Sequence, residues 1–306
     1  MLLRVVIKRL LAMIPLLLVI ATLTFMVIRV VPGGPFDQER NLPPQILANL
    51  NAKYHLDKPV LEQYFLYLGR LCHGDLGVSY KYVDRTVVDI IKDAFPVSIQ
   101  LGGAGLLIAV LIGVPLGTIA ALRRGTHIDH LAMFVSTMGL SLPLFVVGAL
   151  LILVFAIWGK ALPAALWESP LHAILPALTI AFKPMAYIAR LTRASVLEIL
   201  QKDWVRIARS KGLSESTTII KHVLRNALIP VVTLLGPVSA VMIAGSFVVE
   251  IIYAIPGMGR FFVTAVMNRD YDLIMGITLI FSVVLVITNT IVDVLYMILD
   301  PRISYE

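Results

Sequence analysis

The stretch Asp203-Trp-Val-Arg-Ile-Ala-Arg-Ser-Lys-Gly212 lies between two long apolar runs. It is typical of a short basic helix that ends at glycine, the residue that most readily takes the left-handed conformation closing a helix. Ser214 follows as a helix N-cap, with Glu215 in the next first turn. Residues 194–228 therefore predict two helices joined by a rigid turn, an arrangement suited to docking a soluble partner. We expect their apolar faces to bury Val196, Ile199, Leu200, Ile207 and Ala208, then Ile219, Ile220, Val223, Leu224 and Leu228.

The composition around this stretch is that of a membrane protein. The chain has 306 residues, of which 58% are hydrophobic and 15% charged, and its mean hydropathy is +0.89. About 20 consecutive apolar residues cross a bilayer as a helix. Six runs qualify: 10–31, 97–122, 131–157, 172–189, 229–252 and 273–299. The fourth is the weakest, because Lys183-Pro184 interrupts it and predicts a local helix break. The predicted fold class is an all-α polytopic membrane protein with six transmembrane helices.

The first apolar run predicts an uncleaved anchor over residues 1–31. A cleaved signal peptide has an apolar part of about 7–15 residues that ends at a small-residue site. Here the run has 22 residues and ends at Val-Val-Pro-Gly.

Basic residues predict the orientation, because Lys and Arg concentrate on the cytoplasmic side of membrane proteins. With six spans, three basic regions face one side: Arg4, Lys8 and Arg9; Arg123 and Arg124; and Arg190, Arg193, Lys202, Arg206, Arg209, Lys211, Lys221 and Arg225. We expect that side, with both termini, to be cytoplasmic. Topology thus accounts for the net charge of +7. Nucleic-acid binding would need a basic face with base-reading groups, and the sequence shows none.

Residues 32–95 are too polar for the bilayer and predict a small extracytoplasmic layer. They carry seven basic and eight acidic residues, so they show no positive bias. We expect a helix that starts at Pro43-Pro44, a second helix within 59–71, and a turn at Gly74-Asp75-Leu76-Gly77. Residues 96–300 then form a core with five transmembrane helices. Cys72 is the single cysteine, so the chain forms no internal disulfide.

The sequence contains no recognisable catalytic or nucleotide-binding motif. It has no Gly-x-x-x-x-Gly-Lys-[Ser/Thr] loop, no Gly-x-Ser-x-Gly and no His-Glu-x-x-His. His127-Ile-Asp129-His130 offers two nitrogens and a carboxylate, but the pattern favours a solvated turn over a metal site, because no further ligand lies nearby. We therefore expect no catalytic residue, metal or cofactor on this chain.

Among the ionisable residues inside the predicted spans, we single out Lys183, Glu250 and Asp293. Lys183 is either a cavity-facing cation or a residue that reaches a neighbouring carbonyl. Asp293, with Asn289, favours hydrogen bonding between helices. Glu250 precedes a polar, glycine-bearing loop that forms either an outer gate or a re-entrant connector with an Arg269–Asp270 contact. The candidate pore or gate residues are Lys183, Glu250, Pro256, Gly257, Gly259, Arg269 and Asp270.

These motifs resemble the permease subunits of binding-protein-dependent ABC importers, in the dipeptide, oligopeptide and nickel family. Residues 194–228 are similar to the superfamily loop E-A-A-x-x-x-G-x9-I-x-L-P. Ala208, Gly212 and Leu224 match that loop. Its Glu, first Ala, Ile and Pro are replaced here by Arg206, Ile207, His222 and Arg225. Further motifs resemble the B-type permease subunit of oligopeptide importers: Pro32-Gly33-Gly34-Pro35-Phe36, Leu42-Pro43-Pro44, Lys53-Tyr54-His55-Leu56, Gln63-Tyr64-Phe65, His73-Gly74-Asp75-Leu76-Gly77, Arg269-Asp270-Tyr271 and Asp300-Pro301.

The resemblance implies a type I ABC importer permease fold in the bacterial inner membrane. It implies that Arg206, Ala208, Lys211, Gly212 and Leu213 dock on a cytoplasmic ATPase. The implied partners are a second, distinct permease, two ATPase subunits that hold ATP and Mg, and an extracytoplasmic peptide-binding protein. The expected cargo is an oligopeptide, with a dipeptide or nickel chelate as the alternative. A stand-alone secondary transporter or channel is a further alternative, but it gives the basic helices no task.

Overall fold

The computed structural model describes residues 2–36 and 43–299, with side chains described over 6–36 and 43–294. This described part is almost entirely α-helical and contains one isolated β-bridge, between Val78 and Thr86, and no strand. The all-α prediction is confirmed. Leu42, Asp300 and Pro301 of the motifs above lie outside the described residues, as does the side chain of Arg4.

The helices follow one another along the chain with short connections. They are α1 (Leu2–Val30), α2 (Pro44–Lys53), α3 (Val60–Cys72), α4 (Val87–Leu122), α5 (His127–Ser141), α6 (Leu144–Leu151), a π-helical turn (Ile152–Trp158), α7 (Pro170–Leu200), α8 (Asp203–Ser210), α9 (Glu215–Thr217), a second π-helical turn (Thr218–Leu224), α10 (Arg225–Ala227), α11 (Ile229–Ile243), α12 (Phe247–Ile252), α13 (Met258–Asn268) and α14 (Tyr271–Leu299).

Five segments of the described chain are long and apolar enough to cross a bilayer: Val6–Val30, Val87–Leu122, Pro170–Leu200, Ile229–Ile252 and Tyr271–Val294. A sixth span requires α5 and α6 with its π-helical turn to count as one unit, and that unit is bent by 113°. Leu142, between the two helices, is extended with ψ of 132°. Pro143 explains the bend, because proline lacks an N–H and drives the preceding residue out of the helical region.

The prediction that Pro184 breaks the fourth span is wrong. Helix α7 runs without interruption over 31 residues and contains both Pro176 and Pro184. Membrane helices tolerate internal proline where neighbouring helices enclose the freed backbone carbonyl. Helix α7 has such neighbours, because it packs along α4 and against α5, α6 and α11.

Close packing of α4 on α7 and α11 depends on glycine. A Cβ on Gly117 would lie 2.3 Å from the carbonyl oxygen of Ala189, and one on Gly102 would lie 2.4 Å from that of Met242. Small residues allow membrane helices to approach until their backbones touch. Helix α14 completes this core by packing on α11 and α1. An ion pair of 2.7 Å between Arg9 and Asp293 ties α1 to α14, which confirms that Asp293 makes an interhelical contact.

We call residues 43–86, which are predicted to face outward, the outward layer. Its two predicted helices are confirmed as α2 and α3. Tyr67 of α3 is 3% exposed and packs between Phe25 of α1 and Met275 of α14. The layer is therefore seated on the first and last membrane helices.

Residues 194–228 differ from the predicted pair of helices. Residues 194–200 continue α7, and a separate helix, α8, begins at Asp203 after a two-residue break. The second unit runs from α9 through a π-helical turn to α10. Two side chains predicted to be buried are exposed: Ile207 at 54% and Ile220 at 64%. We call residues 203–227 the basic helix pair.

Candidate functional site

Helix α8 has one face turned toward the membrane core and one turned away from it. Val205 is fully buried and Ala208 is 8% exposed. Val205 packs with Ala121, Val196 and Val223 in one apolar cluster. The basic helix pair is therefore joined to α4 and α7 through the side chains of this apolar cluster.

The turn at Gly212 is locally rigid. Gly212 has φ of +78°, in the left-handed region that favours glycine. No atom lies within 4 Å of a Cβ built there, so conformation rather than space requires glycine. Arg209 binds Glu215 through two hydrogen bonds, of 3.1 and 2.6 Å, that cross the turn. The Ser214 hydroxyl accepts a bond from the Thr217 amide at 3.3 Å, as expected of an N-cap.

Four of the five candidate docking residues are exposed, namely Arg206, Lys211, Gly212 and Leu213. Ala208 is buried, so it supports the helix from beneath and is not available for contact with a partner.

Trp204 and Ile207 were missed as docking candidates. Their exposures are 39% and 54%, and their spacing of three residues places them on one side of α8. Aromatic and Arg residues are enriched in protein interfaces, so these two side chains join the candidate docking residues. The signal in the sequence was a tryptophan, Trp204, within a basic helix. The pattern of buried apolar residues did not include it.

Asp129 forms a buried ion pair. It is 2% exposed and receives bonds from Arg193 of α7 at 2.6 and 2.7 Å, and from the Gly125 amide at 3.0 Å. The predicted solvated turn is therefore wrong for Asp129. Among the described residues, no group of three or more His, Cys, Asp or Glu side chains is arranged to hold a metal ion.

A cavity of about 400 Å³, which we call the membrane cavity, lies between two breaks in the helical backbone and the continuous helix α7. The breaks are the α5–α6 bend at Pro143 and the gap between α11 and α12 at Gly245, where φ is +101°, and α7 lines the cavity at Pro184. Irregular backbone at membrane depth is tolerated where it lines a cavity or is enclosed by protein. Most of the remaining lining is apolar and includes Leu144, Val147, Ile180, Phe182, Val241 and Phe247.

Lys183 lines the membrane cavity and is exposed. It forms no ion pair with any residue that the structure describes. Of the two sequence alternatives, the geometry matches a cavity-facing cation. A lone cation in an apolar cavity attracts an anionic group.

Glu250 is fully buried beside the membrane cavity. It accepts hydrogen bonds from the Ser98 hydroxyl at 3.0 Å and from the Arg260 amide at 2.8 Å. The carboxylate therefore lies at the N-terminus of α13, where helix amides and the helix dipole favour negative charge. A Cβ on Gly257 would lie 2.4 Å from the Glu250 carboxyl carbon, and one on Gly259 would lie 2.8 Å from the Phe247 amide.

Pro256 is exposed at the start of this loop. The remaining candidate residues, Arg269 and Asp270, follow α13. Arg269 is the left-handed C-cap of that helix, with φ of +56°. The fully buried Asp270 accepts bonds from the Ser79 hydroxyl and the Tyr80 amide. Burial raises the pKa of the Asp270 carboxyl, and these hydrogen bonds oppose the rise.

Asp272 receives two bonds from Arg70, of 3.1 and 3.4 Å. Asp270 and Asp272 thus tie the outward layer to the start of α14. These partners are about 190–200 residues apart in the chain, so no local sequence pattern reveals them.

Comparison with known proteins gives consistent matches over nearly the whole chain. Residues 113–305 match the family described as binding-protein-dependent transport system inner membrane component, and residues 2–102 match the corresponding N-terminal family. The chain is 48% identical over 301 residues to the dipeptide transport system permease protein DppB of Bacillus subtilis, covering 98% of each. It is 44% identical over 305 residues to the oligopeptide transport system permease protein OppB of Haemophilus influenzae, covering 99% of this chain and 100% of that protein.

Solved structures show the same fold at low sequence identity. One is the MetNI methionine ABC transporter in an inward-facing conformation, with a TM-score of 0.55 and 14% identity over 69% of this chain and 96% of the matched chain. Another is an amino acid ABC transporter with histidines, with a TM-score of 0.54 and 18% identity over 68% and 94%. The predicted ABC importer permease fold is confirmed. The chain belongs to the family of binding-protein-dependent transport system inner membrane components.

Proposed function

We propose that this chain is a pore-forming permease subunit of an ATP-driven importer that moves oligopeptides across the cytoplasmic membrane. A second, homologous permease supplies the other wall of the pore. Two ATPase subunits bind ATP and Mg below, and an extracytoplasmic protein delivers the peptide. Family membership and the names of the two relatives support this proposal.

The membrane cavity is the observation that carries the proposal. Its lining is mostly apolar, with Lys183 as its exposed cation among the residues described. A pathway for peptides of varied sequence cannot depend on side-chain-specific contacts, but every unmodified peptide carries a C-terminal carboxylate. Lys183 attracts that carboxylate, and Glu250, held by Ser98 and α13, keeps the cavity wall fixed at its outer end.

The basic helix pair supplies the coupling. Trp204, Ile207, Leu213, Arg206 and Lys211 present apolar and basic groups to an ATPase subunit. ATP binding closes the ATPase pair and displaces α8. Val205 passes that displacement to α4 and α7 through its buried cluster. Helix α7 also carries Lys183, so the same movement reaches the membrane cavity.

The orientation follows from charge. We infer that both termini and the basic helix pair face the cytoplasm, because Lys and Arg residues gather at those positions. The outward layer and residues 253–257, which precede α13, then face the extracytoplasmic binding protein.

Dipeptides are the alternative cargo, because the relative with 48% identity is named for dipeptide transport and the one with 44% for oligopeptide transport. The two cargos differ in length, and one experiment separates them.

The test is the ATPase activity of the assembled complex in lipid nanodiscs, with its binding protein and a panel of cargos. The panel contains dipeptides, peptides of three to five residues and a nickel chelate. Stimulation by the longer peptides is expected. If only dipeptides or only nickel chelate stimulate the ATPase, the proposed cargo is wrong. If the chain assembles with no ATPase, the proposal of an ATP-driven importer is refuted.

The Lys183→Met variant tests whether Lys183 attracts the C-terminal carboxylate of the peptide. It should reduce uptake of a tripeptide with a free C-terminus more than uptake of the same tripeptide amide, because only the free carboxylate uses the cation. Lys160→Met is the matched control, since Lys160 lies outside the membrane cavity lining. Equal losses for both peptides would contradict the role of Lys183.

A further inference from the structure

A second cavity, which we call the outer cavity, lies between the outward layer and the membrane helices. Its volume is about 220 Å³, and its lining includes Arg29 of α1, Tyr67 and Arg70 of α3, and Asp272 of α14. Phe25, Tyr54 and Tyr80 add aromatic walls. One water occupies about 30 Å³ of liquid, so the space exceeds that needed for a single bridging water.

Arg29 brings a positive charge to this cavity that no described acid neutralises. Its Nε and Nη2 donate to the neutral Gln63 side chain, at 3.1 and 2.5 Å. Its guanidinium carbon lies 4.6 Å from the ring centres of Phe25 and of Tyr271. Its Nη1 is buried and donates to no protein atom. An unpaired buried charge is strongly unfavourable unless a partner of opposite charge joins it.

The carboxylate in the cavity is already committed to other groups. Asp272 receives both bonds from Arg70, at 3.1 and 3.4 Å. Arg70 and Asp272 therefore compensate each other, and among the Lys, Arg, Asp and Glu side chains of the lining one positive charge remains, that of Arg29.

Tyr67 supplies a second unused donor. The residue is 3% exposed, and its hydroxyl is buried without a hydrogen-bond partner. Buried hydroxyls are nearly always bonded in native proteins, so an unpaired hydroxyl that lines a cavity requires a partner within it. The outer cavity thus offers one cationic N–H and one O–H, together with aromatic walls that suit a short apolar group.

We propose that the outer cavity binds a small organic carboxylate. Its two oxygens accept from Arg29 and Tyr67, and its single negative charge balances the single excess positive charge. A phosphate dianion would leave an excess negative charge, and a neutral molecule would leave Arg29 uncompensated. The bound carboxylate joins α1 to α3 and so strengthens the seating of the outward layer. This inference rests on the outer cavity and does not require the proposed peptide transport.

The test measures the thermal unfolding midpoint of the assembled complex in nanodiscs while acetate replaces chloride at constant ionic strength. A saturable rise is expected with acetate, because a ligand that binds only the folded state stabilises it. Acetamide has the shape of acetate without its charge and should give no rise. No rise with acetate, or an equal rise with acetamide or phosphate, would overturn the proposal.

Two variants connect the effect to the cavity. Tyr67→Phe keeps the buried ring and should weaken acetate binding about tenfold, as expected for losing one hydrogen bond to a charged group. Tyr187→Phe, at an exposed tyrosine, is its control. Arg29→Gln should abolish the acetate effect. Unchanged acetate affinity in Tyr67→Phe would overturn the proposal even where Arg29→Gln does not fold.

The carboxylate could belong to a free small acid or to the end of a peptide, and a further titration distinguishes them. Trialanine and trialanine amide are compared with acetate under the same conditions. A rise with acetate and none with either peptide is expected for a cavity of about 220 Å³ that takes a small acid. A rise with trialanine alone would assign the ligand to a peptide end and overturn the small-acid proposal.

Discussion

The contact between Gly257 and Glu250 gives a prediction whose magnitude follows from distances. A Cβ on Gly257 would lie 2.4 Å from the Glu250 carboxyl carbon and 2.5 and 2.6 Å from its oxygens, whereas ordinary contact begins at 3.4 Å. Gly257 has φ of −97°, so alanine there carries no backbone strain. The Gly257→Ala variant must therefore move the Glu250 carboxylate by about 1 Å. Steric contact, and not backbone strain, causes this movement.

That movement lengthens two hydrogen bonds beyond bonding range. The bonds from Ser98 and the Arg260 amide start at 3.0 and 2.8 Å, and a separation above 3.6 Å is no longer a hydrogen bond. Each bond to a charged group contributes about 1.5–3 kcal/mol. Gly257→Ala should therefore destabilise the chain by about 3–6 kcal/mol. For a chain of this size, that lowers the unfolding midpoint by at least about 6 °C.

The assay is the thermal midpoint in nanodiscs for a double-mutant cycle of Gly257→Ala and Glu250→Ala. Removing the carboxylate removes the obstacle, so Gly257→Ala should cost less than about 0.5 kcal/mol in the Glu250→Ala background. Gly103→Ala is the control, because no atom lies within 4 Å of a Cβ on that helical glycine. The reasoning would be refuted by an equal loss in both backgrounds, or by no loss in the parent.

Three further predictions concern the basic helix pair and the outward layer. Gly212→Ala should speed amide hydrogen exchange across residues 203–217 about fivefold, because alanine at positive φ costs about 1 kcal/mol. Trp204→Ala should weaken binding to the ATPase subunit by about 2 kcal/mol in titration, as for a buried interface aromatic. Asp272→Asn should speed limited proteolysis within the outward layer by about tenfold or more, because it leaves the Arg70 charge uncompensated.

Each of these has a matched control. Gly69→Ala lies within α3, where a Cβ meets no atom within 4 Å, and should leave exchange in 203–217 unchanged. Trp158 is 71% exposed in another part of the chain, so Trp158→Ala should not alter ATPase binding. Asp93→Asn removes an exposed carboxylate paired with Arg85 and should not loosen the layer. An effect in a control as large as in its test variant would contradict the corresponding prediction.

Some features of the basic helix pair depend on residues that are neighbours in sequence, and others depend on tertiary contacts. Gly212 and Ser214 were predicted correctly, because a left-handed closing glycine and an N-cap depend on neighbours within a few residues. Ile207 was predicted to be buried and is 54% exposed. Its burial depends on where α8 begins and which face meets α4 and α7, and periodicity over seven or eight residues does not fix that choice.

Composition and local pattern determined three properties: the all-α membrane fold class, the position of the apolar spans, and the presence of the basic segment. They could do so because the length of an apolar run and the residues at helix ends act locally. Tertiary structure decided the rest. It carried α7 through Pro184 because α7 packs against neighbouring helices. It also paired Asp129 with Arg193, Ser98 with Glu250 and Arg70 with Asp272. These partners are 64 to 202 residues apart, and such distant polar groups meet only when the helices pack, because burial then requires each charge to find a partner.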